Sequence, residues 1–139
     1  MFGSSGKKVK IGIDLGAKTI WEEYRPDADG IKHYAMYGDK YGKSLCHAWG
    51  AGPIYLFGRY YLGVYATGAG YETFTVEPHL GGLEEICGAV PINGGTVTVK
   101  LNKEKLSVMA TKAGGTLLWK NKSYDLIPGE PVVIRSANV

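Results

Sequence analysis

The sequence contains little cysteine, little histidine and little net charge. Its two cysteines, Cys46 and Cys87, allow at most one disulfide, which excludes a disulfide-stabilised scaffold and favours a reducing environment. No stretch approaches the roughly 20 apolar residues of a membrane helix. Residues 1–6 lack the charged and apolar regions of a signal peptide. We therefore expect a cytoplasmic protein with two free thiols and no membrane association.

The net charge of +3 is also small for 139 residues. Lysine and arginine are scattered, apart from Lys7, Lys8 and Lys10, so the sequence does not favour nucleic-acid binding. Glycine and tyrosine, in contrast, are abundant, with 21 and 10 residues. Many glycines together with many aromatic residues indicate short strands and tight turns rather than a helical bundle.

The hydrophobic pattern changes near residue 66 and divides the chain into three parts. Residues 1–9 read as a flexible lead. The alternation of Val9, Ile11 and Ile13 fits either a strand or a helix edge. Residues 10–65 read as a helical segment, with two helical turns at Ala17–Tyr24 and a helix at Pro53–Leu62. Residues 66–139 read as a separate β domain.

The second half alternates apolar and polar residues with a period of two. Val97 and Val99 alternate with threonine and lysine, and Leu106 and Val108 behave in the same way. We expect these four residues to point into one core, because alternating apolar residues in facing hairpin strands share a face. Turn sequences such as Asn-Gly separate these runs at regular spacing. The pattern predicts a mainly β fold, an antiparallel β-sandwich of about seven strands after a short helical segment. The predicted strands are 72–78, 83–90, 95–102, 105–111, 116–120, 123–127 and 131–135.

Five sequence segments in the chain resemble one enzyme family. Gly16-Ala-Lys-Thr-Ile-Trp-Glu22 (the Trp-Glu block) is followed by Lys43-Ser-Leu-Cys-His-Ala-Trp-Gly-Ala-Gly-Pro-Ile-Tyr-Leu56 (the Cys-His block) and Arg59-Tyr-Tyr-Leu-Gly63. Further along are Phe74-Thr-Val-Glu-Pro78 and Val90-Pro91. In this order the blocks resemble the C-terminal part of bacterial α-L-rhamnosidases, glycoside hydrolase family seventy-eight.

The resemblance implies the last segment of an α/α barrel followed by a terminal β-sandwich. A barrel of twelve helices needs roughly 130 residues before any loops are counted. About 65 residues precede the predicted sandwich, so these 139 residues do not include the whole barrel.

The resemblance also implies a catalytic role for Glu22. Members of this family invert the anomeric configuration, with one carboxylic acid protonating the leaving oxygen and one carboxylate activating water. Glu22 matches the general base. The alternative is a solvent-facing glutamate beside Glu23. No motif matches the family's general acid, so we expect no hydrolysis by this chain alone.

Three further residues are candidate substrate-binding residues by the same resemblance. His47 matches a histidine that faces the sugar, and a neutral imidazole suits a sugar hydroxyl. The alternative is a packed, hydrogen-bonded histidine ahead of a helix. Trp21 and Trp49 offer apolar faces to a pyranose ring, although tryptophans are more often part of a core.

The sequence offers no support for a metal or cofactor. Cys46, His47, His79 and Cys87 lack the spacing of a metal site and fall in different halves of the chain. No glycine run has the dinucleotide or phosphate spacing after a strand. We therefore expect neither a metal site nor a cofactor.

Two functions of different classes follow from these observations. The first is a C-terminal fragment of a rhamnosidase-like glycoside hydrolase, whose partners are a separately encoded barrel portion and a rhamnose-containing saccharide. The alternative is a non-catalytic sandwich that binds carbohydrate or supports assembly. An exposed row formed by Tyr71, Trp119 and Tyr124 would favour binding, although their alternation fits the core equally well.

The sequence also predicts self-association. The Pro53–Leu62 helix is apolar on nearly all sides, and an all-apolar helix requires cover on all sides. We expect a homodimer or larger even assembly through residues 45–62. Folding of residues 7–14 over the helix is the monomeric alternative. The apolar residues concerned are Ile54, Tyr55, Leu56, Phe57, Tyr60, Tyr61 and Leu62.

Overall fold

The structure, a computed structural model, describes residues 16–25 and 27–135. The predicted lead of residues 1–9 and the segment 7–14, which covers the helix in the monomeric alternative, lie outside the described residues. The chain divides into two compact units at Ile54 and Tyr55. In the described ranges, no helix is long and apolar enough to cross a bilayer.

The first unit is largely irregular. In its described part it contains two 3-10 helices, Gly30–His33 and Ala48–Ala51, and an isolated bridge between Met36 and Asp39. The helical turns predicted for Ala17–Tyr24 do not form, so that prediction is wrong. Backbone groups of this segment bond instead to a distant part of the chain, which competes with local helix formation.

The predicted Pro53–Leu62 helix is present with a change of geometry. Helix α1 spans Gly52–Leu56 and continues as a π-helical turn, Phe57–Tyr61. The Leu62 N–H closes this turn on the Phe57 carbonyl at 3.0 Å. Gly63 follows with a φ of +69°, the left-handed conformation that commonly ends helices.

The second unit is the predicted sandwich. Its described residues form eight strands, which make two sheets of four, ordered β1-β2-β6-β7 and β3-β4-β5-β8. The β2–β6 pair is parallel, and the other neighbouring pairs are antiparallel. The mainly β fold is therefore confirmed. The strands are β1 (Val64–Ala66), β2 (Phe74–Val76), β3 (Glu85–Ile92), β4 (Gly95–Asn102), β5 (Lys105–Ala110), β6 (Gly115–Trp119), β7 (Lys122–Leu126) and β8 (Val132–Arg135).

Seven of these strands correspond to the seven predicted ones. Strand β4 has the predicted bounds, whereas β2 is shorter than the predicted 72–78. Strand β1 is not among the predicted strands, because its three residues are too few to show an alternation. It pairs with β2 in the register Val64 to Val76.

One apolar core fills the space between the two sheets. The four valine and leucine residues predicted to share a face are fully buried in it, as are Phe74 and Leu117 from the other sheet. The prediction of a common core face is therefore confirmed. Those four residues are Val97, Val99, Leu106 and Val108.

Candidate functional site

The Trp-Glu block and the first residues of the Cys-His block lie side by side in the first unit. The Glu22 N–H donates to the Ser44 carbonyl at 2.9 Å, and the His47 N–H donates to the Ile20 carbonyl at 2.7 Å. The Thr19 hydroxyl adds a bond to the Leu45 carbonyl. These backbone bonds hold the two blocks together across more than 20 residues of sequence.

The Glu22 carboxylate is held by two donors. The Tyr37 hydroxyl donates to Oε1, and the Ser44 N–H donates to Oε2 at 3.1 Å. The hydrogen bond from Tyr37 is the largest cause that holds the pKa of Glu22 below its usual value, and the hydrogen bond from Ser44 is the next. The charges of His47 and Lys43 contribute less. Hydrogen bonds to a carboxylate favour its ionised form. Glu22 is therefore ionised at neutral pH.

Tyr37 owes its position to a tight turn. Met36 and Asp39 exchange two backbone hydrogen bonds, at 3.0 and 2.9 Å. Between them, Tyr37 has a φ of +54° and Gly38 a φ of +81°. A left-handed conformation is unfavourable for a bulky residue and often marks a functional position. The contact with Glu22 raises the pKa of the Tyr37 hydroxyl.

An ion cluster lies next in sequence to this carboxylate. Oε2 of Glu23 is 2.7 Å from Nε of Arg25 and 3.4 Å from Nζ of Lys43. The Lys43 side chain is only 1% exposed. A buried ammonium is costly unless an opposite charge accompanies it, so Glu23 acts as the counter-ion of Lys43. Glu23 and Glu22 thus have different partners although they are adjacent.

The remaining predicted site residues differ in exposure. Trp49 is 92% exposed, so it is not part of a core. The ring of His47 meets Trp49 edge-on at 6.2 Å between centroids. His47 also precedes the 3-10 helix, where its side chain makes no capping bond. Trp21 is half-buried and stacks on Tyr24 at 5.6 Å.

Sequence reasoning did not identify Tyr37, Ser44 or Lys43 as neighbours of the glutamates. Tyr37 carries one usable signal, an aromatic residue directly before a glycine in a turn-rich stretch. Lys43 and Ser44 stand inside the Cys-His block, but their roles depend on pairing with a distant segment. No local pattern in the sequence encodes that pairing.

The three aromatic residues of the sandwich are not an exposed row. Tyr71, Trp119 and Tyr124 are partly buried and pack against the core. Trp119 lies on the same inward face of strand β6 as Leu117. Tyr124 lies on the same inward face of strand β7 as Leu126. This placement agrees with the core alternative rather than with a flat binding face.

The described residues offer no cluster of ligands for a metal ion. In the ranges 16–25 and 27–135, no group of three or more histidine, cysteine, aspartate or glutamate side chains could hold one. Cys46 and Cys87 are both exposed free thiols.

No protein-family model matches the chain, and no curated protein matches it significantly.

Proposed function

We propose that this chain contributes the general-base side of an inverting glycoside hydrolase of the α-L-rhamnosidase type. The observation that carries the proposal is the Glu22 carboxylate, kept ionised by the Tyr37 hydroxyl and the Ser44 N–H. An inverting hydrolase needs such a carboxylate to take a proton from water, opposite a carboxylic acid that protonates the leaving oxygen. The general acid and most of the barrel come from outside these 139 residues.

In this proposal the neighbouring residues bind the sugar. The imidazole of His47 bonds a sugar hydroxyl, and Trp49 offers its exposed indole to the apolar face of a rhamnose ring. Trp21 lies beside Glu22 in sequence and positions the block through its stacking on Tyr24.

The helical segment supplies the assembly surface. Tyr55 and Tyr60 are 66% and 56% exposed, and Leu56 is also exposed. Monomeric proteins rarely expose large continuous apolar patches. We propose that residues 45–62 are covered by the barrel portion or, in its absence, by a second copy of this chain. The free thiols fit the cytoplasmic location predicted from the sequence.

A complementation assay tests the proposed function. The chain is mixed with the N-terminal portion of an active α-L-rhamnosidase that ends before its own Trp-Glu block, and co-elution of the two polypeptides is verified. We expect hydrolysis of an aryl α-L-rhamnoside by the mixture and by neither part alone. Glu22→Gln abolishes it, whereas Glu72→Gln, an exposed glutamate in the other unit, does not.

Three outcomes would contradict the proposal. The first is a co-eluting mixture without turnover, and the second is turnover that survives Glu22→Gln. The third is hydrolysis by the chain alone. The alternative function, a non-catalytic module that binds carbohydrate, is favoured by a groove at one end of the sandwich. Saccharide binding that does not change with Glu22→Gln, together with the first outcome, would support that alternative.

A further inference from the structure

The sandwich carries a groove of about 960 Å³ at one end. Three connections form it: the segment after β2 (Glu77–Gly81), the turn that joins β4 to β5, and the β6–β7 hairpin (Leu118–Ser123). The groove is built entirely from the second unit, so it goes beyond the proposed role of Glu22. Its volume is within the range of small-molecule sites.

The lining combines apolar surface with hydrogen-bonding groups. The half-buried indole of Trp119 lies with Leu80 and Leu118, and His79 and Asn121 add polar groups. A pyranose ring has an apolar C–H face and a rim of hydroxyls, and it is commonly bound by an aromatic ring next to such donors and acceptors. The lining therefore suits a saccharide better than a purely apolar ligand.

The charges in the groove favour an anion. Lys103 is paired with Glu84 at 2.6 Å. Lys120 and Lys122 form no ion pair with any described residue. The acidic lining residue, Glu77, accepts a hydrogen bond from the Tyr65 hydroxyl at 3.4 Å. Lys120 and Lys122, which are both exposed at the same hairpin, are thus available to bind a carboxylate.

The hairpin also holds an unfavourable backbone conformation. Lys120 and Asn121 have φ values of +47° and +63°, which are those of a two-residue type I′ turn. Asparagine and glycine adopt this conformation readily, but lysine does not. A lysine in a backbone conformation that disfavours it indicates a role for its side chain.

We propose that this groove binds an acidic saccharide. The part of the Trp119 indole that lines the groove and is not packed against the core contacts a pyranose ring, and Lys120 and Lys122 bind its carboxylate. The ligand class is a uronic-acid oligosaccharide, because one sugar of this kind presents both the apolar ring face and the negative charge that the lining complements.

NMR titration of the full chain with a galacturonate trisaccharide tests the proposal. Its methyl-esterified form is the matched probe, because it keeps the rings and removes the charges. We expect amide shifts within residues 77–81 and 118–123, and binding about tenfold weaker for the ester, as for loss of a charge-assisted hydrogen bond.

Variants separate the contributions of the two lysines. Lys122→Gln should weaken binding by about tenfold, whereas Lys105→Gln, which removes an equal charge outside the groove, should leave it unchanged. Lys120→Asn should weaken binding while raising the melting temperature, because asparagine tolerates the left-handed conformation. The spectrum of each variant reports whether it is folded.

Four results would overturn the proposal. They are equal affinity for the acid and the ester, the same shifts with inorganic sulfate at the same concentration, and no shifts in a folded chain. The fourth is unchanged binding by both Lys120→Asn and Lys122→Gln. None of these results depends on Glu22, so failure here is distinguishable from failure of the proposed function.

Discussion

Gly63 is the point at which a single added methyl group should damage the sandwich most directly. It joins the helical segment to β1, between the buried residues Leu62 and Val64. Its φ is +69°, and a Cβ built there would be 1.9 Å from the carbonyl oxygen of Glu77 and 2.7 Å from the backbone nitrogen of Pro78. The carbonyl of Gly63 also accepts a hydrogen bond from the Glu77 N–H at 2.9 Å. The backbone here therefore cannot shift without loss of that hydrogen bond.

The magnitude follows from two separate costs. A left-handed conformation costs an alanine about 1–2 kcal/mol. Overpacking against a backbone that cannot move adds about 1–3 kcal/mol. Gly63→Ala should therefore lower the free energy of unfolding by about 2–5 kcal/mol. Since each kcal/mol is worth roughly 4–8 °C for a domain of 60–100 residues, the melting temperature should fall by roughly 8 °C or more.

Gly94→Ala is the matched control. Gly94 has nearly the same φ, +72°, but nothing lies within 4 Å of its added Cβ. The free energy of unfolding should therefore fall by only about 1–2 kcal/mol in Gly94→Ala, the cost of the left-handed conformation. Urea unfolding followed by circular dichroism measures both variants. Equal losses for Gly63→Ala and Gly94→Ala would refute the close approach of Gly63 to Glu77.

Three other predictions concern the core, the site and assembly. Val99→Asp should abolish cooperative unfolding because Val99 is fully buried and an unpaired carboxylate there costs several kcal/mol; an unchanged melting temperature would show that the strand phase is wrong. Tyr37→Phe should raise the pKa of Glu22 towards its ordinary value of 4.5, as measured by carboxyl NMR. Because the pKa of Glu22 is lowered in the folded state, the stabilisation from Glu22 exists above pH 4.5 and is lost as the pH falls through the folded-state pKa. A Glu22 pKa that is the same in Tyr37→Phe and the wild type would contradict the hydrogen bond. Light scattering should give a dimer for the wild type and a mass near 15.0 kDa for Tyr55→Glu; a monomeric wild type at micromolar concentration would refute self-association.

The sandwich could be predicted because the sequence signals for its strands and turns are local. Each strand from β3 to β7 has an apolar face with a period of two and ends at a turn sequence. The two-residue Asn93–Gly94 loop sets the register of β3 and β4. Strand β1 lacks such a signal. Its place is set by the turn at Gly63 and by its pairing with β2, and neither is visible in its three residues.

The first unit could not be predicted in the same way. Residues 17–24 have a composition compatible with a helix, yet the Glu22 N–H bonds to Ser44, 22 residues away. Tyr37 reaches Glu22 through a left-handed turn, which its residue type disfavours. The residues of the Trp-Glu and Cys-His blocks could be named from sequence as candidates. Their partners could not, because those partners come from tertiary pairing.

The most direct test of the central claim is chemical rescue of the proposed base. In the complemented mixture, Glu22→Ala removes the group that we propose takes the proton from water. Azide needs no such deprotonation, so it can attack the anomeric carbon while the general acid protonates the departing aryl oxygen. We predict that azide restores aryl release by Glu22→Ala and yields the β-L-rhamnosyl azide, with inverted configuration. Full activity of Glu22→Ala without azide, or an azide product that retains the α configuration, would contradict the assignment of Glu22 as the base.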